Sequence, residues 1–115
     1  MAAAPGILGG KTLAGFLPTL CELGDTPPDG LHTLYVSPLK ALAADIARNL
    51  STPIAEAGLA VRVEDRTGDT SYTKKRRQRA DPPHILLTTP ESLALLLSYE
   101  DAPRIFSGLQ RVVVD

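Results

Sequence analysis

Two rhythms of apolar positions alternate along the chain. From Lys11 to about Leu23, the residues Leu13, Phe16, Leu17, Leu20 and Leu23 recur at the three- and four-residue steps of a helix with one apolar stripe, which Pro18 should weaken or kink. A turn-rich stretch, Gly24 to Gly30, follows, and then Leu34, Tyr35 and Val36 form a short apolar run that predicts a strand over Thr33 to Ser37. Leu39 to about Ala57 sets Leu42, Ala43, Ile46 and Leu50 on one face and turns Lys40, Asp45, Arg48 and Asn49 elsewhere. That is an amphipathic helix, with Pro53 expected to break it early. The pattern then predicts a strand over Ala60 to Glu64, a polar helix or loop over Thr73 to Arg79, and a strand over Ile85 to Thr88. A leucine-rich helix over Glu91 to Ser98 and a β-branched strand over Gln110 to Val114 complete the series.

Short, continuously apolar strands alternating with helices indicate α/β units around a largely parallel sheet buried on both faces. No internal repeat or domain boundary interrupts the series. The functional consequence is geometric: in open α/β sheets, ligands collect at the carboxyl ends of the strands.

Composition changes this picture little. The 115 residues, 43% hydrophobic and 22% charged, suit one globular domain, and a net charge of −1 supplies no global basic field to attract nucleic acid. The lone Cys21 cannot form an internal disulfide and reads as a small buried hydrophobe, in keeping with a reducing cytoplasm. No stretch approaches the roughly 18 apolar residues of a membrane helix, and the alanine-rich start lacks the order of a signal peptide. A cytoplasmic protein without a membrane partner is expected.

Candidate chemistry lies where strands hand over to helices. Gly9-Gly10-Lys11-Thr12, opening the first helix, has the parts of a phosphate-binding loop: backbone amides for phosphate oxygens, a lysine for the outer phosphates and a hydroxyl for magnesium. The full pattern asks for glycine where Pro5 stands, and Gly6, Ile7 and Leu8 put two bulky side chains near the phosphate path. Gly9-Gly10-Lys11-Thr12 taken alone is equally an ordinary loop before a helix. Ser37-Pro38-Leu39-Lys40-Ala41-Leu42 places a polar turn and a fresh helix start after the next strand, read either as a simple helix cap or as free amides for a phosphate. Arg66-Thr67-Gly68-Asp69-Thr70 is either an ordinary turn or a loop that lets a backbone approach closely. Thr88-Thr89-Pro90-Glu91-Ser92-Leu93 repeats the arrangement and is explicable as capping alone. Three such loops at equivalent places, downstream of Gly-Lys-Thr, favour a shared functional edge.

With these motifs in hand, the sequence resembles the DExH-box helicases of superfamily 2, of the large helicase-related (Lhr) type and within it the DNA-ligase-associated form. The resemblance runs from Gly9 to the end: Gly9 to Pro18 is similar to motif I, Ser37 to Leu42 to motif Ia, Arg66 to Thr70 to motif Ib, and Thr88 to Leu93 to the next nucleic-acid motif. Val112-Val113-Val114-Asp115 looks like the strand and first residue of the DExH motif. The resemblance implies a P-loop NTPase of RecA-like fold that couples ATP hydrolysis to translocation along, or unwinding of, single-stranded DNA or RNA. By the same resemblance Gly9, Gly10, Lys11 and Thr12 bind ATP, and Thr12 and Asp115 hold Mg2+. Ser37, Pro38, Lys40, Thr67, Gly68, Asp69, Thr89 and Pro90 track one strand's backbone, with DNA repair as the setting and ligase machinery as a partner.

Against the family pattern, Pro5-Gly6-Ile7-Leu8 replaces the usual Ala-Pro-Thr-Gly, and Met1 to Ala4 stands where a strand is expected. Residues 1–115 are therefore expected to form a partial first RecA-like domain, lacking the first strand, the rest of the DExH motif and the second motor domain, and inactive by itself. A small P-loop kinase, or a remnant that binds nothing, are the competing expectations. Lys74-Lys75-Arg76-Arg77 with Arg79 reads as a solvated face, and His32 and His84, without Cys or His at ligand spacing, as neither metal ligands nor catalysts.

Overall fold

The computed structural model describes residues 15–24 and 26–115. The Gly9-Gly10-Lys11-Thr12 loop expected to bind phosphate lies outside them. Helical residues 15–23 (α1) lead through a loop to β1 (Thr33–Val36), α2 (Lys40–Glu56), β2 (Val63–Arg66), α3 (Tyr72–Ala80) and β3 (Ile85–Thr88). The chain continues as α4 (Pro90–Leu97), the single turn α5 (Ala102–Ile105) and β4 (Arg111–Val114). The described strands form one sheet in the order β2-β3-β1-β4, every pairing parallel.

Alternation along the strands sends side chains to two faces, and each face has its own core. Tyr35, Ile85 and Leu87 meet Phe16, Leu20 and Leu23 of α1 and Ala43, Ile46, Leu50 and Ile54 of α2. Leu34, Val36 and Leu86 meet Leu96 of α4, Ile105 of α5 and Leu31 on the opposite face. The expected α/β class with a parallel sheet is what these residues build.

Several local expectations are corrected. α2 runs through Pro53 to Glu56, because Ile54 extends the buried stripe one step further. Burying an isoleucine stabilises by roughly 1.5–3 kcal/mol, which largely offsets the ~3 kcal/mol of an interior proline. Residues on both sides of Pro18 are helical, as the apolar stripe of α1 predicts. Cys21 is exposed, since the stripe Phe16, Leu20 and Leu23 claims the core side of α1 and the next residue after Leu20 turns about 100° away.

The second strand lies further along than Ala60 to Glu64. Val61 is buried against α2 without a ladder partner, and pairing with β3 fixes Val63 opposite Ile85 and Arg66 opposite Thr88. Its polar middle is held by α3: Glu64 accepts from Arg77 and Gln78, and the buried Arg66 donates to the Lys75 carbonyl (3.0 Å) and to Gln78 Oε1 (3.2 Å). Burial lowers the pKa of Arg66 from its ordinary value, and the nearby charge of Arg79 acts in the same sense. The α5 turn was not expected; only Ala102 and Ile105, one turn apart, reach the core.

Candidate nucleic-acid interface

Register builds the candidate site. Val36 pairs with both Thr88 and Val114, and Thr88 pairs with Arg66, so the next residues of four neighbouring strands fall into one row. Across the carboxyl edge the row reads Thr67, Thr89, Ser37, Asp115. Neighbours are about 4.8 Å apart in the hydrogen-bonding direction, so the row spans roughly 14 Å. Its backbone is continuous with the sheet: Ser37 N donates to the Thr88 carbonyl (2.9 Å) and Asp115 N to the Val36 carbonyl (2.8 Å). Thr88 Oγ1 donates to the Arg66 carbonyl at 2.6 Å and ties β2 and β3 together just beneath the row.

Each hydroxyl in the row does local work. Ser37 Oγ accepts from Leu39 N (3.2 Å) and donates to Asp115 Oδ2 (3.4 Å), joining the start of α2 to the Asp115 side-chain carboxylate. Thr67 Oγ1 accepts from Asp69 N (3.1 Å), and Thr70 Oγ1 in turn accepts from Thr67 N (2.9 Å). Thr89 Oγ1 caps α4 by accepting from Ser92 N (3.3 Å), with Pro90 in the first turn as expected.

The helix starts differ. α3 is capped by Ser71 and α4 by Thr89, whereas α2 has no side-chain cap. Its first-turn amides, which no helix can satisfy from within, open beside the exposed Pro38, Leu39 and Lys40. Lys40 reaches across to the loop after β2 and pairs with Asp69 at 3.1 Å.

An open cleft of about 400 Å³ lies between the start of α2 and residues 67–74. Of the expected nucleic-acid residues, Lys40, Thr67 and Asp69 line it; Ser37 and Thr89 sit in the adjoining row, and Pro38, Gly68 and Pro90 are exposed without lining the cleft. Thr70, Ser71, Asp65 and Lys74 also line the cleft; Thr70 belongs to the loop already singled out, Lys74 was expected on a solvated face, and Asp65 and Ser71 were not expected at the site.

The basic run therefore divides. Lys74 faces the cleft and pairs with Asp65 at 3.4 Å, while Arg77 pairs with Glu64 and Arg79 with Asp101, its guanidinium lying 3.7 Å from the centre of the Tyr99 ring. Among the described residues no group of three His, Cys, Asp or Glu gathers, and no helix is long and apolar enough to cross a membrane. His84 is a structural group: its Nδ1 accepts from Arg62 N at 2.9 Å. Burial, then the Arg62 charge, holds its pKa below the ordinary 6.5.

Comparison with known proteins places this architecture. Residues 5–115 match the DEAD/DEAH box helicase family. The chain is 42% identical to the ATP-dependent helicase Lhr-Core of Methanocaldococcus jannaschii, over 92% of this chain and 14% of that protein. It is 44% identical to the Lhr helicase/probable uracil glycosylase of Mycolicibacterium smegmatis, over 92% of this chain and 8% of that one. Among solved structures, Mycobacterium smegmatis Lhr bound to ssDNA and AMP-PNP superposes with a TM-score of 0.77 at 44% identity, covering 92% of this chain and 15% of the other. The helicase MrfA bound to DNA and AMPPNP gives 0.78 at 32% identity, covering 93% and 15%. The parallel sheet is thus that of the RecA-like helicase domains, and the chain spans only a small part of the length of these relatives.

Proposed function

The chain belongs to the DEAD/DEAH box helicase family, and on that footing we propose that residues 1–115 act as the ATP- and nucleic-acid-binding part of a first RecA-like motor domain of Lhr type. One observation carries the proposal: Thr67, Thr89, Ser37 and Asp115 stand in register along a single sheet edge, beside a helix start left without a cap. Hydroxyls, amides and Lys40 along that edge suit the phosphates of a single strand, whose backbone supplies most of the affinity and none of the sequence preference.

Asp115, at the end of the row, suits the nucleotide side. One of its carboxylate oxygens is engaged by Ser37 and the other has no partner among the described residues, which fits an ion that takes one or two protein oxygens and keeps water and phosphate in its remaining positions. We assign Mg2+ to Asp115 and Thr12, and the phosphates of ATP to Gly9, Gly10 and Lys11. The metal ion would supply charge neutralisation at the phosphates. Turnover further requires a carboxylate to position water and an arginine from a second motor domain, so the 115-residue chain alone binds nucleotide without hydrolysing it.

The parent activity we infer is ATP-driven movement along nucleic acid in DNA repair, with ligase machinery as a partner. A kinase reading draws no support from the family match. The test is anisotropy with a labelled single-stranded oligonucleotide. We expect a dissociation constant no tighter than about 10⁻⁶ M at physiological salt, weakened when Lys40 and Thr89 are both replaced by Ala. Unchanged affinity in that double variant removes the nucleic-acid assignment. ATPase activity of the chain above background, lost on Lys11→Ala, removes the claim of inactivity, and failure of a purified DNA ligase to bind removes that partner.

A further inference from the structure

We propose that Lys74 is a second phosphate ligand of the cleft, facing Lys40, and that Asp69 and Asp65 are counter-ions that the nucleic-acid backbone displaces. The inference rests on the nucleic-acid reading above and extends it to a third element, α3. Two ammonium groups line one open cleft, and each is held by a single carboxylate: Lys40 Nζ by Asp69 Oδ2 at 3.1 Å and Lys74 Nζ by Asp65 Oδ1 at 3.4 Å. The Lys40–Asp69 pair is largely exposed, with side chains 61% and 73% accessible. Exposed pairs of this kind contribute little to stability, so exchanging the Asp69 carboxylate for a phosphate costs little, whereas the Lys74–Asp65 pair is part-buried, with side chains 39% and 25% accessible.

The hydroxyls between the lysines complete the case. Thr70 Oγ1 accepts from Thr67 N and Ser71 Oγ accepts from Lys74 N, so both oxygens are occupied as acceptors of backbone amides. A hydroxyl has one proton to give, and here both protons remain for a ligand. Two ammonium donors and two hydroxyl donors on one cleft specify an anionic acceptor with several oxygens. Elsewhere in the basic run Arg77 pairs with Glu64, Arg79 pairs with Asp101 and Arg76 lies over the Tyr72 ring, while Lys75 does not line the cleft. Lys74 alone of these joins Lys40 in the cleft. The anion is a backbone phosphate of the single strand, since the cleft opens onto the strand-end row.

The experiment measures oligonucleotide affinity of the 115-residue chain by anisotropy across a salt series. Lys74→Ala is expected to weaken binding several-fold and to make the dependence of log affinity on log salt shallower by about 0.7, as for the loss of one phosphate contact to a single strand. Lys74→Arg should retain both affinity and slope, and Asp69→Asn should tighten binding about two- to five-fold by removing a competing charge. Equal melting temperatures of Lys74→Ala and the parent chain establish that folding is not the cause. If Lys40→Ala weakens binding while Lys74→Ala leaves affinity and slope unchanged, the inference fails and the nucleic-acid reading stands. If Lys40→Ala is also without effect, the reading itself fails. A larger loss from Arg76→Ala with Arg77→Ala than from Lys74→Ala moves the path to another face, and weaker binding by Asp69→Asn overturns the counter-ion role.

Discussion

The two ends of the sheet carry similar side chains and use them in opposite ways. At the amino end, Arg62 is clamped by Asp81 through two 3.0 Å bonds and by the Pro82 carbonyl, His84 accepts the Arg62 amide, and its carbonyl takes both His32 N and Thr33 N. Histidine, arginine and aspartate gathered there look like a site by composition, yet each polar group is committed to joining strand starts. At the carboxyl end the commitments are looser: one helix start without a cap, the exposed Lys40 on an exposed partner, and hydroxyls with a proton to spare. Residue type does not separate function from structure; the state of each donor and acceptor does.

Breaking both ends at once should have the largest effect. Leu87, fully buried in β3 against α1 and α2, serves the whole sheet, and Leu87→Ala should lower stability by about 2–5 kcal/mol in denaturant melts. A loss below about 1 kcal/mol would show that the core on that face is loosely packed.

The amino end alone comes next. His84→Ala leaves the Arg62 amide without its acceptor, and we expect a loss of roughly 1–3 kcal/mol with oligonucleotide affinity unchanged well below the melting temperature. The same contact sets a pH dependence. The folded chain resists protonating His84 while the unfolded chain takes up a proton near the ordinary 6.5, so this contribution is complete above that value and is lost as pH falls below it. Melting temperatures measured between pH 7.5 and 5 should decline in the parent chain and less steeply in His84→Ala; parallel declines would assign the effect to other groups.

The smallest change in stability belongs to the carboxyl end. Lys40→Ala removes an exposed pair and should shift stability by less than about 0.5 kcal/mol, while weakening oligonucleotide binding several-fold. A stability loss as large as that of His84→Ala would erase the distinction between the ends.

Apolar rhythm made most of the fold legible. β3 falls at the expected Ile85 and Thr88, because a buried apolar strand between Pro83 and Pro90 leaves no other register, and α4 is displaced by one residue. The rhythm failed where polar contacts set the structure: Val63-Glu64-Asp65-Arg66 is a strand because α3 satisfies its charges, and no periodicity announces that. In the candidate site, the strand-end residues were readable from their turns, whereas Lys74 was not. It lies nine residues beyond Asp65 in sequence and is brought to the cleft only by the packing of α3 against β2.

The strand order has a consequence in time. β1 never pairs with β2, the strand that follows it; its neighbours are β3, more than fifty residues later, and β4, later still. During synthesis Thr33-Leu34-Tyr35-Val36 therefore has no ladder partner until Ile85–Thr88 and then Arg111–Val114 have emerged. Closing so long a loop precedes any reward from the ladder, which places folding among the slow, topology-limited cases of milliseconds to seconds rather than the microseconds of local helical folds. The row that aligns the candidate site depends on the same long-range pairing that gives β1 its neighbours.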